Sequence, residues 1–355
     1  MDHGSKHLDD GHHVTVLNNL ATGQKSNLTQ AWMNPQVHTR PTPHLGGVAV
    51  ATATLAASGA IAFAFGAFDP VLVVLLGGAA VVCVLGLFDD LRQLGPVVRL
   101  GVETSTAAVV VLTGGNPTIF GGALDAVLAM VWIVIVTNAF KLLDNMDGAA
   151  TSLCVIIGGS LCLTAPAGGS DGLGVVMAAL AGACLGFLFH HRHPARIFLG
   201  DAGSLFLGFT LASAMVVLHD DAAGLSGPVS LVLATLVPTL DTALVMLSRR
   251  RESKPLLQGA TDRIVHRLRR TGMTVQQVVR TLTLFAVVSC LSSTLVTSGL
   301  LAPGVALPAA SAASVAALQL LLKVPATAGL RRSGRLLPPR ALKRTGAPGR
   351  RHRVI

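Results

Sequence analysis

The chain has 355 residues, of which 51% are hydrophobic and 12% are charged, and its formal net charge is +10. The charged share is about half of that in a typical soluble domain. So few charges cannot cover so much apolar surface in water, which excludes a soluble globular protein, and the high apolar content excludes a disordered one. Apolar stretches of membrane-spanning length indicate a polytopic membrane protein instead.

The first 35 residues are polar and are predicted to form a disordered leader. They do not resemble a signal peptide, because no basic stretch runs into an apolar one. Ten apolar segments follow, each about long enough to cross a hydrocarbon core of ~30 Å as a helix. The predicted fold is therefore all-α, with about ten transmembrane helices. The segments lie near residues 46–67, 70–88, 98–114, 119–137, 148–166, 173–190, 204–219, 227–248, 279–300 and 303–323.

The basic residues divide the connections between these segments into two groups. All 27 Lys and Arg residues fall into alternate connections, into the two terminal regions, or at the segment ends that adjoin them, where Arg99, Arg280 and Lys323 lie. Because positive charge favours the cytoplasmic side, both termini are predicted to be cytoplasmic. The basic tail 324–355 is predicted to be disordered and to lie on anionic lipid, since no aromatic residues interleave its charges as in a nucleic-acid-binding segment.

Acidic residues recur in the predicted cytoplasmic connections. Asp89 and Asp90 end the second apolar segment. The next two inner connections hold Asp144 and Asp147, and then Asp201. Because these short connections return to one face, their carboxylates can converge, and converged carboxylates repel one another unless a cation lies between them. Oxygen ligands without a Cys or His pattern suit Mg²⁺, with Mn²⁺ as the alternative.

Glycines next to these acids predict that the same face binds phosphate. Gly200 precedes the seventh segment in "FLGDAGSLFLG", where the amides of a helix N-terminus favour an anion. "RPTPHLGG" places Arg40 shortly before Gly46 and Gly47 in the same way, and Arg99 adds a further cation. A phosphate-plus-metal site at the cytoplasmic interface suits an enzyme that joins a soluble phosphate substrate to a lipid-borne one. A transporter would hold more of its ionisable residues near the midplane of the membrane.

Four motifs in a fixed order resemble those of one enzyme family, and a fifth, "TDRIVHRLRRTG", resembles it in part. The four are "RPTPHLGG", "GLFDDLRQLGP", "NAFKLLDNMDG" and "FLGDAGSLFLG". The family is the polyprenyl-phosphate N-acetylhexosamine-1-phosphate transferases (glycosyltransferase family 4), which include MraY. The forms "PTPHLGG" and "LLDNMDG" are more similar to the branch that transfers N-acetylglucosamine (GlcNAc) 1-phosphate than to MraY.

The resemblance implies the reaction. Members of the family transfer a sugar 1-phosphate from a UDP-sugar to undecaprenyl or decaprenyl phosphate, releasing UMP, with Mg²⁺, and so initiate a cell-envelope glycan. The transferase domain would then be the transmembrane region 36–323, in a bacterial inner membrane. Its cytoplasmic active-site loops are expected at 36–46, 88–99, 138–148, 191–204 and 249–278.

The resemblance also implies roles for individual residues. Asp89 or Asp90 would deprotonate the lipid phosphate, with a covalent route through an Asp as the alternative. Asp201 would hold Mg²⁺ on the pyrophosphate, with Asp90 as a second metal ligand. Phe198 would stack on uracil, and His266 would lie near the pyrophosphate. The nucleotide-sugar loop would contribute Asn138, Asp144 and Asp147.

The chain departs from the family pattern at two informative positions. Lys141 stands where the family usually has Asn, and Arg263 stands where a second His is usual. A non-catalytic homologue is therefore an alternative, as are a phospho-MurNAc-pentapeptide transferase and a transporter of a polyprenyl-linked sugar. The expected partners are a UDP-N-acetylhexosamine, a polyprenyl phosphate and membrane lipids, without nucleic acid, and a homodimer stays open.

Overall fold

The computed structural model describes residues 45–65, 69–92, 94–114, 122–165, 170–219, 224–251 and 263–324. This part of the chain consists of helices and their connections, and no strand occurs in it. The predicted leader, the Arg40 part of "RPTPHLGG" and the basic tail beyond Val324 lie outside the described residues. The helices are α1 (Gly46–Phe65), α2 (Pro70–Arg92), α3 (Pro96–Gly114), α4 (Ala123–Leu143), α5 (Ala149–Thr164), α6 (Asp171–His191), α7 (Gly200–Leu218), α8 (Ser226–Ala234), α9 (Leu236–Arg251), α10 (Ile264–Arg270), α11 (Val275–Thr297) and α12 (Pro303–Lys323).

Each of the ten predicted apolar segments overlaps a helix or a helix pair of the described residues, which confirms the all-α membrane fold. Within the described ranges eight helices are long and apolar enough to cross a membrane: α1 to α4, α6, α7, α11 and α12. The fifth segment forms α5, which has only 16 residues. The eighth segment forms the bent pair α8 and α9, which makes nine spans if the pair crosses as one. The side of the membrane on which the termini lie stays a prediction.

The eighth segment is one apolar run in the sequence, but its helix is broken. α8 ends at Ala234, α9 begins at Leu236, and the two axes differ by 71°. Pro238 explains the break, because proline has no backbone N–H for the carbonyl of Ala234 and its ring collides with that carbonyl. The thiol of Cys290 in α11, with its Sγ 3.9 Å away, donates to the same carbonyl oxygen. The freed backbone acceptor thus finds a partner inside the protein.

Helix α7 forms the centre of the bundle. It packs against α1, α2 and α4. Of the residues in its apolar stretch, 83% are buried inside the protein, against 6% for α12. Small residues make this packing close, since a Cβ on Gly208 would lie 2.8 Å from the Cα of Thr137 in α4. The N-terminal end of α7 carries Asp201, so the most enclosed helix of the described bundle positions a candidate site residue.

Candidate active site

Three helix ends meet at one place in the bundle. Asp89 lies in the last turn of α2, Lys141 in the last turn of α4, and Asp201 in the first turn of α7. Gly86 lets α2 approach α7, because a Cβ at this position would lie 2.4 Å from the carbonyl oxygen of Asp201. The convergence of acids from separate connections, expected from the sequence, is therefore present in the structure.

Replacing Gly86 with Ala is expected to lower the melting temperature, because the added methyl group must push the backbone of α7 away. Overpacking of this kind typically costs about 1–3 kcal/mol. Gly77→Ala, on the same helix, is the matched control, since a Cβ there meets nothing within 4 Å. Thermal unfolding of both variants in one detergent measures the effect, and equal melting temperatures would show that the approach of α2 to α7 tolerates a methyl group.

The Lys141 ammonium lies between two carboxylates. Its Nζ donates to Oδ2 of Asp89 at 2.5 Å and to Oδ2 of Asp201 at 2.8 Å. The Asp89 side chain is only 6% exposed, whereas Lys141 and Asp201 are 19% and 30% exposed. The cluster therefore has an inner carboxylate and an outer one, and solvent or a substrate can reach the outer one.

A second cation extends this cluster along α3. Nη1 of Arg99 lies 3.2 Å from Oδ2 of Asp89, and its Nε lies 3.6 Å from Oε1 of Glu103. The side-chain amide of Asn138 donates to Oε2 of Glu103. The backbone N–H of Leu94 donates to the remaining oxygen of Asp89 at 2.7 Å. The structure thus brings the predicted residues Arg99 and Asn138 into contact with acids rather than leaving their side chains open.

Asp90 caps the N-terminus of α7. Its Oδ1 accepts the backbone N–H of Asp201 at 2.9 Å, and its Oδ2 accepts that of Ala202 at 3.0 Å. Positive partial charge at a helix N-terminus stabilises a carboxylate there. The anion at these two amides is therefore a side chain of the protein, and the phosphate expected beside Gly200 stays a prediction. Gly200 itself has a φ of 74°, in the left-handed region that glycine adopts readily.

The glycines of "RPTPHLGG" also bind the protein itself. The backbone N–H of Gly46 donates to the carbonyl of Phe198 at 3.1 Å, and that of Gly47 donates to the carbonyl of Leu199 at 2.8 Å. A Cβ on Gly47 would lie 2.1 Å from the backbone nitrogen of Gly203, which explains why this position needs glycine. These two amides therefore hold the connection before α7 in place, which corrects the expectation that they approach a phosphate.

Asp144 is a buried carboxyl in the connection after α4. Its side chain is 11% exposed, and its Oδ1 lies 3.9 Å from Nε2 of His191. Burial raises the pKa of Asp144 well above its ordinary value, and the nearby carboxylates of Asp201 and Asp90 raise it further, while the guanidinium of Arg263 opposes them. The charged form of Asp144 is therefore disfavoured until a hydrogen-bond donor or a cation reaches it.

Asp144→Asn is expected to raise the melting temperature, increasingly so toward alkaline pH. A raised pKa means that the native state binds this proton more tightly than the unfolded state, so the stability that protonation provides is lost as pH rises through the native pKa. The Asn variant has no such proton to lose. Melting temperatures of both proteins between pH 5 and 9 test this, and a difference that stays constant or narrows as pH rises would contradict it.

Asp147 ties its connection to the one after α6. Its Oδ2 lies 2.8 Å from Nδ1 of His193 and accepts the backbone N–H of Ala195 at 3.1 Å. Close by in the chain, Oγ1 of Thr151 lies 3.2 Å from Nδ1 of His191. Sequence reasoning selected Asp147 but missed both histidines. The run "HHRHP" between two motifs was the available signal.

The two remaining site candidates lie in a connection and in a short helix. Phe198 is half-buried just before α7, and His266 is half-buried in α10. The backbone N–H of Ile264 donates to Oδ1 of Asp241 at 2.7 Å, which fixes the start of α10 against α9. Burial lowers the pKa of the neighbouring Arg263 to about 10. The roles that resemblance implies for Phe198 and His266 stay predictions.

The expected divalent ion does not fit the carboxylates as they lie. The facing oxygens of Asp89 and Asp201 share the Lys141 ammonium, and both oxygens of Asp90 accept amides of α7. Among the described residues, no three His, Cys, Asp or Glu side chains are grouped so that they could hold a metal ion. These contacts argue against a metal ion held by Asp90 and Asp201 in this arrangement, while a Mg²⁺ requirement of the reaction stays a prediction.

Comparison with known proteins identifies relatives over most of the chain. The model of the family described as glycosyl transferase family 4 matches residues 72–219. A glycosyltransferase of Streptomyces coelicolor is 37% identical over 319 residues, which cover 89% of this chain and 76% of the relative. An undecaprenyl-phosphate N-acetylglucosaminyl 1-phosphate transferase of Bacillus subtilis is 30% identical over 251 residues, or 68% of this chain and 69% of the relative. A decaprenyl-phosphate N-acetylglucosaminephosphotransferase of Mycolicibacterium smegmatis is 33% identical over 275 residues, or 66% of this chain and 67% of the relative.

The region matched by the family model includes all three helix ends that meet at Lys141. A phosphoglycosyl transferase built from membrane-spanning helices is the class of enzyme that these similarities and this fold define. The chain belongs to glycosyl transferase family 4, the polyprenyl-phosphate N-acetylhexosamine-1-phosphate transferases. The resemblance carried by the five motifs is thereby confirmed.

Proposed function

We propose that this enzyme transfers GlcNAc 1-phosphate, or the 1-phosphate of a related N-acetylhexosamine, from a UDP-sugar to undecaprenyl or decaprenyl phosphate. UMP is the second product, and the lipid-linked sugar starts a cell-envelope glycan. One observation carries the proposal: two relatives that align with about two thirds of this chain are named as GlcNAc phosphotransferases acting with undecaprenyl phosphate and decaprenyl phosphate.

The cluster around Lys141 supports the chemistry of this reaction. An oxygen of the lipid phosphate attacks the phosphorus that carries the sugar, and the bond from that phosphorus to the UMP oxygen breaks as the new P–O bond forms. Both reactants are anions, so the protein must neutralise charge and hold them in line. Lys141 and Arg99 provide fixed positive charge, and Asp89 holds both side chains in place.

The proposal also covers the location of the enzyme and its remaining partners. The bacterial relatives support a location in a bacterial inner membrane. The distribution of Lys and Arg supports an active site on the cytoplasmic face. A fluorescent protein that folds only in the cytoplasm, fused after the basic tail, tests this orientation. The Mg²⁺ dependence and the homodimer stay predictions.

A donor panel tests the proposed reaction. Membranes containing the protein are incubated with a polyprenyl phosphate, Mg²⁺ and one of UDP-GlcNAc, UDP-N-acetylgalactosamine or UDP-MurNAc-pentapeptide, and UMP release is measured. We expect the fastest release from UDP-GlcNAc, and inhibition by tunicamycin serves as the control. Preference for the pentapeptide donor would establish the muramoyl alternative. Absence of UMP release with every donor would refute the proposal and favour the non-catalytic or transporter alternatives.

A further inference from the structure

Lys141 occupies the position where two catalytic-site carboxylates would otherwise need a metal ion. Its Nζ lies within 2.8 Å of an oxygen from each of Asp89 and Asp201. Two carboxylates that face one another repel unless a positive charge lies between them, and a divalent ion is the usual solution at a phosphate site. Here that positive charge is covalently part of helix α4.

The geometry is unlike that of an ordinary surface ion pair. The three side chains come from three different helices, and Asp89 is 6% exposed while Lys141 is 19% exposed. Arg99 approaches the same Asp89 oxygen at 3.2 Å, so this oxygen already has two cationic neighbours. A further ion with two positive charges would meet repulsion from both cations at close range.

We propose that the Lys141 ammonium is a built-in cation that takes the place of a divalent ion between Asp89 and Asp201. An ammonium has three N–H donors, and two of them are used by these carboxylates. The third remains for an anionic oxygen of the substrate. The substrate part of this inference rests on the proposed function, whereas the replacement of the metal ion does not.

Mn²⁺ binding to the purified full-length protein tests the inference without any turnover. Electron paramagnetic resonance measures free Mn²⁺ for the wild type, for Lys141→Asn and Lys141→Met, and for the charge-preserving Lys141→Arg. Lys323→Asn is the matched control, because it removes an exposed lysine at the end of α12. We expect Lys141→Asn and Lys141→Met to bind one Mn²⁺ at least about tenfold more tightly than the wild type, since they remove the repelling charge. Lys141→Arg and Lys323→Asn should match the wild type.

A double variant locates the new ion. Adding Asp201→Asn to Lys141→Asn should abolish the Mn²⁺ binding that the single variant gains. The inference is overturned if the wild type binds Mn²⁺ as tightly as Lys141→Asn, or if neither uncharged variant gains a site. If both uncharged variants aggregate on a sizing column, the test uses the wild type and Asp201→Asn alone. Mn²⁺ binding by the wild type that Asp201→Asn removes would overturn the inference. No such Mn²⁺ binding by the wild type would support it.

The binding comparison and the donor panel fail independently. If no donor releases UMP, the proposed function is refuted, while the Mn²⁺ affinities still decide whether Lys141 replaces a metal ion. If the wild type releases UMP and also binds Mn²⁺ between Asp89 and Asp201, the proposed function stands and this inference does not.

Discussion

Asp201→Asn is expected to lower the rate of UMP release at least ~100-fold, the usual cost of losing one preorganised electrostatic contact in an active site. Asp201 is the more exposed of the two carboxylates that hold Lys141, and it lies in the first turn of the central helix α7. Without its charge the ammonium loses one of its two carboxylate partners, so the positive charge is no longer fixed where the proposed reaction needs it. Initial rates of the purified variant in detergent measure the loss.

The matched control is Asp171→Asn, which neutralises an exposed acid in the first turn of α6. It should leave UMP release within about twofold of the wild type, as surface substitutions usually do. An Asp201→Asn protein that stays folded and keeps near-normal turnover would remove Asp201 from the catalytic machinery.

Asp90→Ala is expected to lower both stability and turnover, because it deprives two backbone amides of α7 of their acceptor. Losing a capping carboxylate typically costs about 0.5–2 kcal/mol, and the ionised oxygens on both amides place this cap near the upper end. Turnover should fall at least about tenfold, since the start of α7 positions Asp201. Asp90→Asn, which keeps one acceptor oxygen, should lie between Ala and the wild type in melting temperature.

This pair of variants separates a cap from a general base. If Asp90 were a general base instead, Asp90→Asn would be as inactive as Asp90→Ala. The melting temperatures of both variants would then equal that of the wild type. Asp69→Ala is the matched control, because Asp69 caps the exposed start of α2 through the N–H of Val71 at 2.9 Å, at the opposite end of this helix from Asp89. Its removal should cost less than about 1 kcal/mol and leave turnover unchanged.

Hydropathy predicted the spans well because lipid demands apolar side chains, but it misplaced the helix ends that carry the site. The fourth segment was predicted to end at residue 137, whereas α4 continues to Leu143 and carries Lys141 in its last turn. Similarly, α7 begins at Gly200 rather than at residue 204, so Asp201 lies on a helix. A polar side chain ends an apolar segment in the sequence, but the helix continues for as long as its backbone hydrogen bonds do.

The sequence also predicted that the acidic side chains converge, but it did not predict which groups form hydrogen bonds or ion pairs with each carboxylate. Convergence follows from connections that share one face, a property of topology. The partner of each carboxylate depends on side-chain reach and on distances of a few tenths of an ångström. Lys141 was recognised as a departure from the family pattern, and Mg²⁺ was expected on Asp201 and Asp90. That the Lys141 ammonium lies between Asp89 and Asp201 was not predicted. Similarly, nothing in the motif "FDD" distinguishes the cap Asp90 from the buried Asp89.

The enclosure of α7 limits which amino-acid substitutions this helix can accept. Most faces of α7 meet other helices, so a substitution that enlarges or shrinks a side chain there has few directions in which to relax. Almost all of α12 faces away from the protein core, where one aliphatic side chain can replace another with little effect. Saturation mutagenesis scored by growth or fluorescence should therefore show a narrow range of accepted residues along α7 and a wide, uniformly apolar range along α12.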